Sequence, residues 1–131
     1  MLLKNNLYTI IRKADEGMSA SYEVRLNPSC FIYQAHFPGE PITPGVCIVQ
    51  IGKELLEDFL IRNNFAERVE IIGVKNVKFL SVISPEETDV IAYQIKKIEM
   101  SEDKTGVKAQ IVVTSEEEPK AKISLVLRAK C

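Results

Sequence analysis

The chain's single histidine, His36, opens the run His36-Phe37-Pro38-Gly39-Glu40-Pro41-Ile42-Thr43-Pro44-Gly45-Val46, which also holds three of its six prolines. Imidazole is the side chain best suited to moving a proton near neutral pH. The prolines hold φ at about −65° and remove three backbone donors, so Pro38 to Pro44 reads as an ordered, extended loop. Pro44 suits a helix start, where its missing N–H costs nothing. Gly45 and Val46 then present unpaired N–H groups at the positive end of that helix. A base tethered a short loop away from an anion-friendly helix terminus suits chemistry on a carbonyl: one group removes a proton, and the other holds the oxyanion that develops.

Those groups need a scaffold. From Gly45 to about Arg62 the apolar residues Ile48, Ile51, Leu55, Leu56, Phe59 and Leu60 recur at helical spacing, which predicts a helix laid on a sheet. Its opposite side carries Gln50, Lys53, Glu54, Glu57 and Asp58. The first turn, Val46-Cys47-Ile48-Val49, is apolar nearly all round, so the N-terminal half is expected to be the more buried one. Before the loop, Leu7 to Ala14 and Ser21 to Leu26 read as a hairpin turning at Asp15-Glu16-Gly17, and Phe31 to Gln34 as a short edge piece. After Asn63-Asn64, the stretches Val69 to Ile83, Val90 to Ile98, Val107 to Thr114 and Ala121 to Arg128 read as strands. The last two alternate strictly, and Ser84-Pro85-Glu86, Ser101 to Gly106 and Ser115 to Pro119 mark the turns. One long helix set among antiparallel strands predicts an α+β domain in which the sheet wraps the helix.

At 131 residues, 46% hydrophobic and 27% charged, the sequence fits one domain spanning 1–131. A net charge of −1 with both signs interspersed gives no global electrostatic case for nucleic acid or an anionic membrane surface. No run approaches a membrane span, and Met1 to Ile11 lacks the basic and apolar blocks of a leader, so a cytoplasmic location is expected. Cys30, Cys47 and Cys131 are odd in number and not spaced as metal pairs; with one histidine no zinc site assembles, and free thiols are expected. No cofactor is called for.

The segment Tyr33 to Val46 resembles the His-Phe-Pro-Gly-x-Pro-x-x-Pro-Gly motif of the 3-hydroxyacyl-[acyl carrier protein] dehydratases of fatty acid synthesis, which have a hot-dog fold. Gly73 to Phe79, with Val82-Ile83-Ser84-Pro85 after it, is similar to that family's central strand and proline turn. The resemblance implies a homodimer, or a higher oligomer, in which the loop histidine of one subunit faces the helix of the other. It implies a 3-hydroxyacyl thioester carried by acyl carrier protein, of fatty-acid or polyketide type, as substrate. His36 would be the base at the α-carbon, the Gly45 N–H would bind the thioester carbonyl, and the Ile42 carbonyl would hold the imidazole. The family's second catalyst is an acid fourteen positions after the histidine, and here that position is Gln50. An amide hydrogen-bonds a hydroxyl but gives up no proton at neutral pH. The family often reads acid-x-x-x-Gln, whereas this helix reads Gln50-Ile51-Gly52-Lys53-Glu54. Positions four apart share a face and sit about 6 Å apart along the axis, so Glu54, or a water it holds, is expected to take over part of the acid's role.

Each of these residues also has a plainer reading. Gln50 and Glu54 fit a solvated polar stripe. Cys47 fits either a helix-terminus thiolate or a small core residue. Tyr33 and Phe37 fit the wall of an acyl tunnel or ordinary core packing, and Lys75 and Lys78 fit a solvent face or a docking site for an acidic carrier. The competing functions are a dehydratase, a non-catalytic acyl-binding protein or subunit of a heteromeric dehydratase, and a thioesterase.

Overall fold

The strict alternation of the strands becomes one apolar face of a curled sheet. The computed structural model describes residues 2–130 and comprises β1 (Tyr8–Glu16), β2 (Ser19–Leu26), α1 (Phe31–Ala35), α2 (Gly45–Arg62), β3 (Arg68–Phe79), β4 (Val90–Met100), β5 (Gly106–Ser115) and β6 (Glu118–Lys130). All strand pairs are antiparallel, in the order β1-β2-β4-β5-β6-β3. Tyr22, Val24 and Leu26 of β2, Ile91, Tyr93 and Ile95 of β4, and every second residue of β5 and β6 are buried on the face that receives α2. The helix contributes the whole expected stripe, Ile48, Ile51, Leu55, Leu56, Phe59 and Leu60. Each such side chain withdrawn from water stabilises the fold by about 1.5–3 kcal/mol.

Two local features set how the helix sits. A Cβ added at Gly52 would lie 3.1 Å from Ile111 Cδ1, so a glycine here lets the helix approach β5 closely. The Tyr93 hydroxyl donates to the Ile48 carbonyl at 2.9 Å and ties the first turns to β4. The helix ends in a Schellman pattern: Asn64, at φ 61°, donates its N–H to Ile61 O, and Phe65 N–H donates to Leu60 O.

Four expectations change. Phe31 to Gln34 is not an edge strand but lies within the one-turn helix α1. Asn27 starts the turn before it, accepting the Ser29 N–H at its side chain and the Cys30 N–H at its carbonyl, and a five-residue run with four apolar positions cannot by itself distinguish the two states. Asp15 and Glu16 belong to β1, and the turn is tighter, with Gly17 at φ 59°. The strand expected to end at Ile83 ends at Phe79, and β3 crosses to the far edge of the sheet instead of joining the β4-β5-β6 meander. The N-terminal half of α2 is not the more buried: Val46 is 69% exposed, because in the first turn only Cys47 and Ile48 turn inward, whereas Leu55, Leu56, Phe59 and Leu60 are fully covered. Cys30 and Cys47 are free, and burial pushes the Cys47 thiol up, which fits the core reading. Cys131 lies outside the described residues.

The C-terminal end of α2 is riveted to the first hairpin. Arg62 donates to both Asp15 oxygens, to Asp58 Oδ2 and to Tyr22 Oη, each at 2.9 Å, and Lys13 approaches Asp58 at 3.3 Å. The Arg62 hydrogen bonds hold Asp15 below its ordinary carboxyl value. Burial works the other way at Asp58, but hydrogen bonds from Arg62, Tyr22 and Lys13 outweigh it and the net shift is also downward. Arg62→Met should therefore cost roughly 1–2 kcal/mol near neutral pH, the partial exposure of the network limiting the loss through screening. Because both folded values lie below the ordinary 3.8, this contribution is full above that value and lost as pH falls through the folded ones. Urea unfolding of wild type and variant should show a gap at pH 7 that closes in acid.

Candidate active site

The proline-rich loop is folded back on itself around His36. At the end of α1 the His36 N–H donates to Ile32 O, and the chain turns through Phe37 and Glu40, which exchange backbone hydrogen bonds. The His36–Phe37 peptide is cis. Ile42 N–H donates to His36 O at 3.0 Å, and His36 Nδ1 lies 3.2 Å from Ile42 O. A carbonyl oxygen can only accept, so Nδ1 carries the proton and Nε2 is left with the lone pair of a base. The Phe37 ring stacks on the imidazole at a centroid distance of 4.0 Å. Farther along, Thr43 N–H donates to Ile83 O, and Thr43 Oγ1 pairs with the buried Tyr33 hydroxyl at 2.9 Å. Burial pushes that phenol up to about 12, so it stays neutral and braces the loop from below.

His36, Ile42 and Thr43 line a cleft of about 480 Å³ together with Gly45 and Ile48 of α2 and residues 79–83 at and after the end of β3. His36 is the one titratable side chain in that lining. The N–H of Gly45, the first helical residue, has no acceptor within the helix and sits at its positive end, where a carbonyl oxygen gaining charge would be stabilised. Glycine at position 45 makes room for the Phe79 ring, whose Cζ would lie 2.7 Å from an added Cβ.

Of the residues singled out in the sequence, the structure brings His36, Ile42 and Gly45 together. Phe37 supports the imidazole, Tyr33 supports the loop, and exposed Val46 is not among the lining residues. Residues 79–83 were not picked out as a wall; their signal in the sequence was the family match that ends one segment at Phe79 and resumes at Val82 to Pro85.

Gln50 and Glu54 lie elsewhere on α2. Glu54 is only 6% exposed, contrary to a solvated stripe. Its Oε2 accepts the Leu3 N–H at 2.8 Å and the Gln50 Nε2–H at 2.9 Å, while Oε1 accepts from Lys4 N and Tyr8 Oη, both at 2.9 Å. Four donors converge on one carboxylate, and both of its oxygens are occupied as acceptors. One turn on, the Tyr22 hydroxyl donates to Asp58 at 2.7 Å, so Gln50, Glu54, Asp58 and Arg62 form a polar row whose last three members meet the N-terminal segment and first hairpin.

An antiparallel sheet curled around one long helix, with a histidine loop beside the helix start, is the hot-dog arrangement. The model of the ApeI-like family, described as ApeI dehydratase, matches residues 12–125, and the chain belongs to that family. It is 30% identical over 130 residues to the 3-hydroxyacyl-[acyl-carrier-protein] dehydratase FabZ of Wolbachia pipientis wMel, covering 90% of this chain and 82% of that protein. It is 27% identical over 100 residues to FabZ of Lactiplantibacillus plantarum, a match covering 75% of this chain but 65% of that relative's length. Among solved structures, a chain of the dehydratase heterocomplex ApeI:P from Xenorhabdus doucetiae superposes with a TM-score of 0.60 at 16% identity, covering 91% of this chain and 96% of that one, which shows the shared fold.

Proposed function

We propose that this protein is a dehydratase removing water from a 3-hydroxyacyl thioester carried on acyl carrier protein, with His36 as its base. The observation that carries this reading is the tautomer lock: Ile42 O accepts the hydrogen bond of the Nδ1–H, so Nε2 is the basic nitrogen of the only titratable group in a cleft that includes the Gly45 N–H. Nε2 takes the α-proton as the thioester carbonyl gains charge against the Gly45 N–H. The enolate electrons then expel the 3-hydroxyl, forming the α,β double bond. The departing hydroxide needs a proton, and the imidazolium just formed holds one within the same cleft. Gln50 orients the hydroxyl through its amide. In the homodimer that we infer, the amide acting at each cleft is Gln50 of the partner subunit. The unpaired outer edge of β3 and its exposed Val74 suit pairing with a second copy.

Hydration of crotonyl thioesters, followed by loss of the enoyl absorbance, tests the reading. His36→Ala should lower turnover by roughly 10² to 10⁴ with folding unchanged, and acyl carrier protein should be preferred to coenzyme A as the carrier. A His36→Ala variant that keeps wild-type turnover would sink it. A second reading is supported by Gln50, which has no proton to give: the chain pairs with a different hot-dog subunit that supplies a carboxyl, as the heteromeric naming of the ApeI:P neighbour suggests. Activity that arises only on mixing with such a subunit would favour it. Either form fits the cytoplasmic location expected from the sequence.

A further inference from the structure

We propose that Phe79 sets the width of the cleft beside the thioester carbonyl, so that acyl groups unbranched at the α-carbon enter and α-methyl acyl groups are rejected. The proposal rests on the acyl-thioester reading of the cleft. Its basis is the placement of one ring. The far end of Phe79 points at Gly45, with Cζ, Cε2 and Cε1 lying 2.7, 3.0 and 3.4 Å from where a Cβ would stand. With the ring in this position, a methyl group fits between it and the start of α2 only if the ring shifts. Yet Phe79 is 51% exposed, so this is not a core residue filling space; it is a large apolar side chain held half open at the cleft.

Its position is fixed from both sides. Phe79 is in register with Ala121 of β6, and Leu80 N–H donates to Lys120 O at 2.9 Å. At the end of the wall Ile83 O receives the Thr43 N–H at 2.8 Å, joining it to the loop that carries the base. The backbone that carries the ring is therefore held at both ends.

The chemistry then constrains the α-carbon. A carbonyl oxygen hydrogen-bonded to the Gly45 N–H, about 2.9 Å away, brings the α-carbon within a few bonds of the Phe79 ring. For proton abstraction one α-substituent, a hydrogen, must face His36. The other then faces the space bounded by Phe79. A hydrogen fits there, whereas a methyl group needs the ring to move.

Binding separates this idea from turnover. The probes are amide analogues of butyryl- and 2-methylbutyryl-pantetheine, in which NH replaces the thioester sulfur, titrated into the wild type and into Phe79→Ala and Phe79→Trp by calorimetry. Wild type should prefer the straight-chain analogue by roughly 10- to 200-fold, the range one misfitting carbon spans in a pocket. Phe79→Ala should bring the ratio close to one, mainly by improving binding of the branched analogue, and Phe79→Trp should keep or widen it. Equal binding of both analogues to wild type, an unchanged ratio in Phe79→Ala, or no binding of either would overturn the proposal. Preferential binding without hydration activity would instead reject the dehydratase reading and leave the steric role standing.

Discussion

Gln50→Glu should raise hydration of a crotonyl thioester by 10²-fold or more over wild type, within the roughly 10² to 10⁴ that a positioned general acid contributes. The expectation follows from the neighbour of Gln50. Its Nε2 lies 2.9 Å from Glu54 Oε2, so a carboxyl at position 50 would face another carboxyl at hydrogen-bond distance. Two such groups cannot both ionise cheaply, and the pair retains one proton to higher pH than either alone. The Tyr8 hydroxyl and the backbone N–H groups of Leu3 and Lys4 already use Glu54 as their acceptor, so the proton shared by the pair is donated from residue 50. The variant's pH profile should gain a limb that falls at alkaline pH as that proton is lost. If Gln50→Glu is no faster than wild type, position 50 does not face the leaving hydroxyl. If instead mixing with an acid-bearing subunit restores activity to the same extent, the heteromeric reading holds.

Glu54→Ala should be the most destabilising single change on the helix, costing roughly 3–5 kcal/mol, since it strips four donors of their common acceptor and opens a void beneath the N-terminal segment. That is a large part of the 5–15 kcal/mol by which domains of this size are stable, at about 25 °C. Glu54→Gln keeps the shape but turns an N–H group toward donors, and should lose about half as much. Chemical denaturation measures both, and limited proteolysis should find the segment around Leu3 cut first in the alanine variant. The same variants also decide the residue's role. A proton donor would show a turnover loss of 10² or more in Glu54→Gln at nearly unchanged stability, whereas a clasp shows lost stability with turnover at its original pH dependence.

The contrast between His36 and Glu54 marks where local pattern stops being informative. Proline geometry and the apolar stripe act over a few residues, and so the extended loop, the helix from Gly45 to Arg62 and the alternating faces of β5 and β6 were legible in the sequence. The family motif added the pairing of His36 with Ile42, six residues apart, which the structure contains. The one-turn helix α1 was misread because a five-residue stretch with four apolar positions satisfies either period, and a side-chain turn at Asn27 decides between them.

Gln50, Glu54, Asp58 and Arg62 also recur at helical spacing, and the sequence by itself determined that they share a face of α2. It did not determine what covers that face. Glu54 meets residues 46 to 51 positions earlier in the chain, and Arg62 meets Asp15 at a separation of 47, contacts that exist only once the N-terminal segment and the first hairpin close over the helix. The crossing of β3 to the far edge, which sets Phe79 against Gly45, is of the same kind. A residue's chemistry is written in its type and local spacing. Whether a carboxylate meets water, a proton acceptor or four donors depends on which distant strand packs over it, and that was decided by the tertiary structure alone.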